Sequence, residues 1–359
     1  MAWRPMRAMT TKEFRQLRRD RRTLALLIFQ PLVLLVVFGY AASFDVDHVS
    51  AAVYGPAAEQ VAHALPDALT VQTVSASGDR ADAEAALRAR EVVVAVLTGS
   101  GGADGVLVDG SQLFAARSVV SALAAAGVPA QPQVLYNPGL ETPPVLVPAL
   151  AGLVLAFVGT IATSLGVVRE RQTGTMEQLA VMPFRPSDVL IGKLLPYLVV
   201  ALVDLALVMV ASVVVFDVPF NGSLPLFVTG SVLFLTVALG TGLLISTLSE
   251  NQGQAMQLSM MMTLPQVLLS GAIFPLESMA VVLQWIAYAL PLTWFVELAR
   301  GVMLRAAGWS ELAVPLAALA GLAVAVLGLS IARVRRDLLP ARAGRTAPDA
   351  TVAVAGAAR

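Results

Sequence analysis

Pro143 to Val168 reads PPVLVPALAGLVLAFVGTIATSLGVV, a stretch with no charged residue that stops at Arg169-Glu170-Arg171. A helix rises 1.5 Å per residue and a bilayer core is about 30 Å thick, so a run of this length crosses a membrane. Working outward, the same pattern recurs. Leu194–Phe216 carries one charge, Asp204, and Leu224–Leu248, Asn251–Leu276 and Leu312–Ala332 carry none. Upstream, Leu24–Phe44 is also uncharged and spans roughly 31 Å as a helix. Pro31 would kink it, which membrane helices tolerate. Arg18-Arg19 and the small residues Ala41-Ala42-Ser43 are compatible with a cleaved leader. The apolar run exceeds the usual core of such leaders, about 7–15 residues, so a retained span is expected.

Composition agrees. Of 359 residues, 57% are hydrophobic and 13% charged, against about 25% charged in soluble domains. A formal net charge of zero gives no bulk attraction to nucleic acid. Disulfide and thiolate chemistry are excluded because there is no Cys, and a His-rich metal site is disfavoured because only His48 and His63 occur.

The expected fold is therefore an α-helical polytopic membrane protein with six spans, at 24–44, 144–168, 194–216, 224–248, 252–276 and 312–332. Between the first two lies the one large polar block, 45–143. Its apolar runs Val49–Tyr54, Val92–Leu97 and Val106–Val108 alternate with Ala-rich helical stretches Asp79–Arg90 and Gln112–Ala126. This pattern predicts a small α/β or α+β domain, with Gly99 to Gly102 as a loop.

Ser278–Val296 is apolar but carries Gln284 and Pro291, with Pro275 before it. Basic residues decide how to read it, because they gather on the cytoplasmic side. If 277–311 is a re-entrant extracytoplasmic segment, 18 of the 24 Lys and Arg fall inside: those of residues 1–23, of the 169–193 loop and of the 335–359 tail, together with Arg333. A full crossing would place the Arg-rich tail outside. Both termini are thus expected in the cytoplasm, with the protein in the plasma (inner) membrane. Residues 1–23 are expected to form a basic interfacial helix beginning at the capping box Thr10-x-x-Glu13, with Phe14 and Leu17 on an apolar face. The Ala-rich tail is expected to be disordered.

The loop Arg169–Lys193, RERQTGTMEQLAVMPFRPSDVLIGK, carries the most information. Thr175 and Gln178 form a capping box for a short helix near Met176, Pro183 ends it, and Ser187 can cap the next span. On physics alone this is a solvated connector. Asp204 lies 11 residues past Lys193, roughly 16 Å along the axis and so near mid-bilayer. A charge there costs at least about 2.5 kcal/mol, so it faces protein or water. It is either a polar contact in a conduit or subunit interface, or a protonated carboxyl bonded locally. Met256, Gln257, Met260 and Gln266 give the fifth span an adaptable, semi-polar surface suited to a conduit, an interface or ordinary packing. Glu297 and Arg300, three apart on a helix, are placed to pair.

RERQTGTMEQL resembles the RE-x-x-x-GT-x-E-x-L signature of ABC type-2 permeases, the family of drug, lipid and polysaccharide exporters. Gly192-Lys193 resembles that family's GK entry to the third span, and Tyr136-Asn137-Pro138 its YNP before the second. Ser270–Leu304 resembles its SG-x-x-FP and P-L-T…RG blocks, with Ala280 where Pro is usual; Lys12-Glu13-Phe14 and Arg19-Asp20 resemble its N-terminal helix. The resemblance implies a permease coupled through Arg169, Glu170, Gly174, Thr175, Glu177 and Leu179 to a cytoplasmic ATPase, in a complex of two permease copies and two ATPases. The basic-residue distribution makes the segment holding Pro275, Pro291, Glu297 and Arg300 the re-entrant motif. No phosphate-binding G-x-x-x-x-G-K-[ST] occurs here, so ATP and Mg are expected on the partner and no cofactor on this chain. Membrane lipids are expected neighbours and nucleic acid is not. Two other classes stay open: a sensor or scaffold using 45–143 as receptor, and a membrane-embedded hydrolase, for which no nucleophile–base pair is apparent.

Overall fold

The computed structural model describes residues 3–19, 49–66, 69–99, 102–125, 132–173, 186–273, 276, 279 and 281–343. The expected first span, 24–44, and most of the expected coupling loop lie outside the described residues, as does Pro275.

Helix α1 (Trp3–Arg19) precedes a sheet-bearing unit: β1 (Val49–Tyr54), α2 (Ala58–Ala64), β2 (Leu69–Ser75), α3 (Arg80–Arg88), β3 (Val94–Gly99), β4 (Gly102–Asp109), α4 (Leu113–Ala125) and β5 (Pro132–Leu135). The strand order is β2-β1-β3-β4-β5. All neighbours are parallel except β3 and β4, which form an antiparallel pair down to Gly99 opposite Gly102. Side chains alternate across the pleat. Ala51 and Val53 pack with Ala58 of α2 and Ala116 and Val119 of α4 on one face. Ala52 and Tyr54 pack with Ala83 and Leu87 of α3 on the other. Asp79 starts α3, its carboxylate accepting from the Ala81 and Asp82 amides, with Asp82 returning a bond to the Asp79 amide.

The remainder is helical: α5 (Thr142–Gln172), α6 (Pro186–Phe216), α7 (Leu224–Leu248), α8 (Gln252–Leu269), α9 (Val281–Tyr288), α10 (Pro291–Met303) and α11 (Ala313–Ala343). Among the described residues four helices are long and apolar enough to cross a membrane: α5, α6 from Leu190, α7, and α11 to Arg333. The α9–α10 pair, bent by 81°, would make a fifth if it counts as one span.

Several boundaries differ from the expectations. The Thr10 capping box starts nothing, because α1 already begins at Trp3 and the Thr11 hydroxyl bonds back to the Arg7 carbonyl within it. Ser187 lies inside α6, one residue past its first. Both ends of the 169–193 loop are helical, α5 running to Gln172 and α6 starting at Pro186. The expected 252–276 span ends at Leu269, where the Ser270 amide closes on the Gln266 carbonyl. Gln284 does not interrupt its helix, since its amide donates to the Met279 carbonyl; the break comes at Ala289-Leu290, before Pro291 at the first position of α10. Residues 335–343 of the expected tail continue α11, and α2, β2 and β5 had no sequence signal.

The bundle packs through glycines. A Cβ on Gly242 of α7 would sit 2.4 Å from the Thr160 carbonyl oxygen of α5, and one on Gly152 of α5 would meet the Phe295 ring of α10 at 2.4 Å. Gly230 of α7 faces Leu298 of α10 in the same way. Small residues at these crossings let backbones approach, as membrane helices require. Phe295 stacks on Phe234 of α7 at 4.3 Å, so α10 is wedged between α5 and α7. Hydroxyls join the helices too: Thr160 donates to the Ala238 carbonyl, and Ser164 meets Ser259 of α8 at 3.0 Å.

Gly242→Ala should therefore lower the thermal midpoint of the detergent-solubilised protein, at a cost of about 1–3 kcal/mol for forcing two backbones apart. Gly321→Ala, on a stretch of α11 where the added Cβ meets nothing within 4 Å, should leave the midpoint unchanged or raise it. Midpoints read by fluorescence size-exclusion after heating decide this; equal loss in both variants would show that the crossing is not tight.

Candidate functional site

Contacts sort the helix ends into two faces. On one, the Met9 side chain of α1 lies where a Gly192 Cβ on α6 would be, 2.7 Å from its Cγ. The same face holds the end of α5 and the α7–α8 turn, because Arg171 donates to the Ser249 carbonyl and Gln252 to Gln172. On the other face lie the sheet-bearing unit, the Asp217–Ser223 loop and α9–α10, since Asn221 bonds the Met303 and Leu304 carbonyls and Arg305 pairs with Asp109.

The first face concentrates charge at the root of the 174–185 segment. Glu170 in the last turn of α5 is bonded to Lys193 of α6, and both side chains are buried. Lys12 of α1 lies 3.8 Å from the other Glu170 oxygen, its own side chain 40% exposed. Thr173 caps α5 by donating to the Arg169 and Glu170 carbonyls. Gly166 leaves room for the Tyr197 hydroxyl at the next layer. Three segments far apart in sequence thus meet at one carboxylate. Of the expected coupling residues, Arg169 and Glu170 are here, Arg169 exposed and Glu170 buried. Gly174, Thr175, Glu177 and Leu179 lie outside the described residues. Lys193 and Lys12 were both visible in motifs of the sequence, but nothing in the spacing tied them to Glu170.

The second face is held by arginines. Arg300 donates Nε to the Val145 carbonyl of α5, Nη1 to Gly271 and Nη2 to Ala272, just past the end of α8. Gly271 has φ +73°, the left-handed region that glycine tolerates. Glu297, expected beside Arg300, lies 3.7 Å from Arg90 of the sheet-bearing unit. Arg305 and Asp109, both buried, are 3.9 Å apart. Burial lowers the Arg305 guanidinium from its usual range, and the Asp109 carboxylate works against that shift. Burial likewise raises the Tyr136 phenol, with Asp109 adding to it and Arg88 and Arg305 opposing. Asn137, buried, donates to the Gly110 and Glu141 carbonyls and accepts from the Glu141 amide, tying the sheet to the start of α5. Arg117 of α4 adds a bond to the Leu140 carbonyl.

Between these faces Asp204 is 3% exposed in the middle of α6, and its Oδ1 has no hydrogen-bond partner among the described residues. Met256, Gln257 and Met260 share one exposed face of α8, whereas Gln266 is buried, its amide turned to the Met262 carbonyl at 3.5 Å. The four thus do not form one surface. No group of three or more His, Cys, Asp or Glu able to hold a metal occurs among the described residues.

Glu170→Gln should destabilise the protein by about 3–5 kcal/mol, because it strands the buried Lys193 charge. Adding Lys193→Met should recover most of that loss, and Lys12→Ala alone, at an exposed ammonium, should cost about 1 kcal/mol or less. A double-mutant cycle on thermal midpoints measures the coupling. Additive losses at positions 170 and 193 would show that the two do not act as a pair.

The chain is similar in sequence to known proteins. The Escherichia coli K12 protein named "Probable multidrug ABC transporter permease YbhS" is 29% identical over 374 aligned residues, covering 94% of this chain and 98% of that one. "Probable multidrug ABC transporter permease YbhR" of the same organism is 35% identical over 181 residues, 49% of each chain. "ABC transporter G family member 20" of Dictyostelium discoideum is 29% identical over 177 residues, 49% of this chain and 24% of its own. The family described as "ABC-2 family transporter protein" matches residues 21–332, which takes in the paired Glu170 and Lys193 and the Arg300 anchor alike. The chain belongs to the ABC-2 transporter permease family and is a multi-pass membrane component of an ABC transporter.

Proposed function

We propose that this permease forms the membrane conduit of an exporter for hydrophobic or amphiphilic compounds, driven by a separate cytoplasmic ATPase. The observation that carries the reading is the buried Glu170–Lys193 pair with Lys12 beside it. It clamps both roots of the 174–185 segment and α1 to each other, so a push on that segment moves α5 and α6 together. The names of YbhS and YbhR speak for drug-like cargo. ATP and Mg reside on the partner, two ATPases serve two permease copies, and the exposed Met256, Gln257 and Met260 line the interface or conduit between copies. Asp204 supplies its polar contact at mid-span.

In this reading the protein has six spans, α8 and residues 24–44 completing the four clear ones. Support comes from α1 meeting one end of the bundle at Gly192 and the sheet-bearing unit meeting the other end through Leu113, Val145 and Leu304. The α1 face is cytoplasmic, the sheet-bearing unit is an extracytoplasmic α/β domain, and α9–α10 is a re-entrant pair beneath it in the plasma membrane. With no native Cys, single cysteines test this cleanly: positions 75 and 285 should react with an impermeant maleimide in intact cells, and 180 and 345 only after permeabilisation. Outside labelling at 345 would refute the six-span arrangement.

The coupling role has its own test. Gly174→Val removes the backbone freedom that sets the angle of the loop, and Glu177→Lys reverses charge at the proposed contact. Both variants should insert at normal levels yet lose ATPase co-purification or substrate-linked hydrolysis, and with it export. Wild-type behaviour of both at matched expression would remove the coupling assignment.

A further inference from the structure

A cavity of about 790 Å³ lies between α6 and α7, open sideways. Its floor is Leu205, Phe227 and Ser231, all buried, and its rim includes Val213 and Val228, both exposed. Ser231 is the one hydroxyl in the lining, and it is already spent on the Phe227 carbonyl at 2.7 Å. The other lining side chains are apolar, so the groove suits an apolar occupant. The volume lies within the range of small-molecule sites, about 300–1,000 Å³.

We infer that this groove seats one acyl chain of a phospholipid from the leaflet on the sheet-bearing side. Three observations select that occupant. First, α6 and α7 are both membrane-crossing helices, so a sideways opening between them faces hydrocarbon. Second, the lining on α6 runs from Leu202 to Val214, roughly 18 Å by helical rise, against about 15 Å for half a bilayer core. Third, the groove ends at the Asp217–Ser223 loop, which the Asn221 bonds to Met303 and Leu304 fix on the sheet-bearing face. Asp217 in that loop is exposed and gives this end of the groove a negative charge, which favours an ethanolamine phospholipid over an anionic one as the occupant. A bound chain would fill the gap between α6 and α7 and stiffen the helix that carries Asp204. The inference needs only the membrane placement of α6 and α7, not the conduit reading.

The test is photolabelling of the full chain in vesicles of phosphatidylethanolamine and phosphatidylglycerol, doped with phosphatidylethanolamine bearing a diazirine in one acyl chain. It needs neither ATP nor export, so its failure is distinct from failure of the proposed function. Label should concentrate on peptides carrying residues 202–214 and 224–231, well above that at Val324, an exposed residue of α11. Val213→Trp, which fills the groove from its exposed rim, should reduce labelling to the Val324 level, while Val215→Trp, exposed but outside the lining, should not. A phosphatidylglycerol probe should label less, and Asp217→Asn should erase the difference. Should Val213→Trp fail to fold, the wild-type label distribution decides. Even labelling over all exposed spans, labelling unmoved by Val213→Trp, equal labelling by the two headgroups, or a cysteine at 210 that crosslinks instead to residues 24–44 or to a second copy would each overturn the inference.

Discussion

Inside a membrane no water rescues an unpaired backbone carbonyl, and the Arg300 guanidinium answers that constraint for this fold. Helix α8 stops at Leu269, and a helix end leaves terminal carbonyls bare. Arg300 reaches two carbonyls just beyond, those of Gly271 and Ala272, and a third at Val145 in the first turn of α5. The planar fork of an arginine suits this, since its donors diverge in fixed directions. One side chain thus joins the end of α8, the start of α5 and the last turn of α10. The irregular backbone after α8 is tolerable because it is buried against protein and bonded by a charge.

The rest of the sheet-bearing side is arranged around that anchor. Helix α10 can bring Arg300 so close only because Gly152 and Gly230 let it sink between α5 and α7, and because Phe295 fills the space beside Phe234. One turn toward the start of α10 Glu297 meets Arg90, and just past its end Arg305 meets Asp109, so the sheet-bearing unit rests on the same helix. The Asn137 clamp and the Arg117 bond fix the chain where that unit passes into α5. A shift of α10 would therefore be felt by α5, α8 and the sheet together.

How much of this could be read from the sequence follows from the range of each interaction. Uncharged runs revealed α5, α6, α7 and α11, because hydrocarbon imposes a length and a lack of charge that every residue reports. They failed at the end of α8, where Ser270-Gly271 closes the helix although the apolar run continues to Leu276. An apolar run located β1 to the residue, but β2, in which polar residues interrupt the apolar ones, and the four-residue β5 offer no such run. Asp204 stood out because a lone carboxylate in an apolar run must turn to protein or water, and it is buried. The partners of Glu170, Arg300 and Glu297 were not legible. Each sits at least 23 residues away in sequence and is brought near only by packing. Local spacing favoured Glu297 with Arg300, yet Arg90 and the carbonyls after α8 are where these groups find their bonds.

The two charged layers differ in kind. On the sheet-bearing side Arg300 is tied to backbone carbonyls, which are neutral and fixed in the frame, so that layer resists being taken apart. On the α1 side the contact is between side chains, with Glu170 shared by a buried ammonium and a half-exposed one. Breaking the buried pair is costly, but exchanging the exposed partner is cheap, because a surface ion pair is worth little in water. The Lys12 contact is therefore the weaker of the two and the Lys193 contact the stronger. Helix α1 is held on that side also by Met9 seated against Gly192 of α6, so the layer combines one durable buried pair, one exposed charge and one apolar contact.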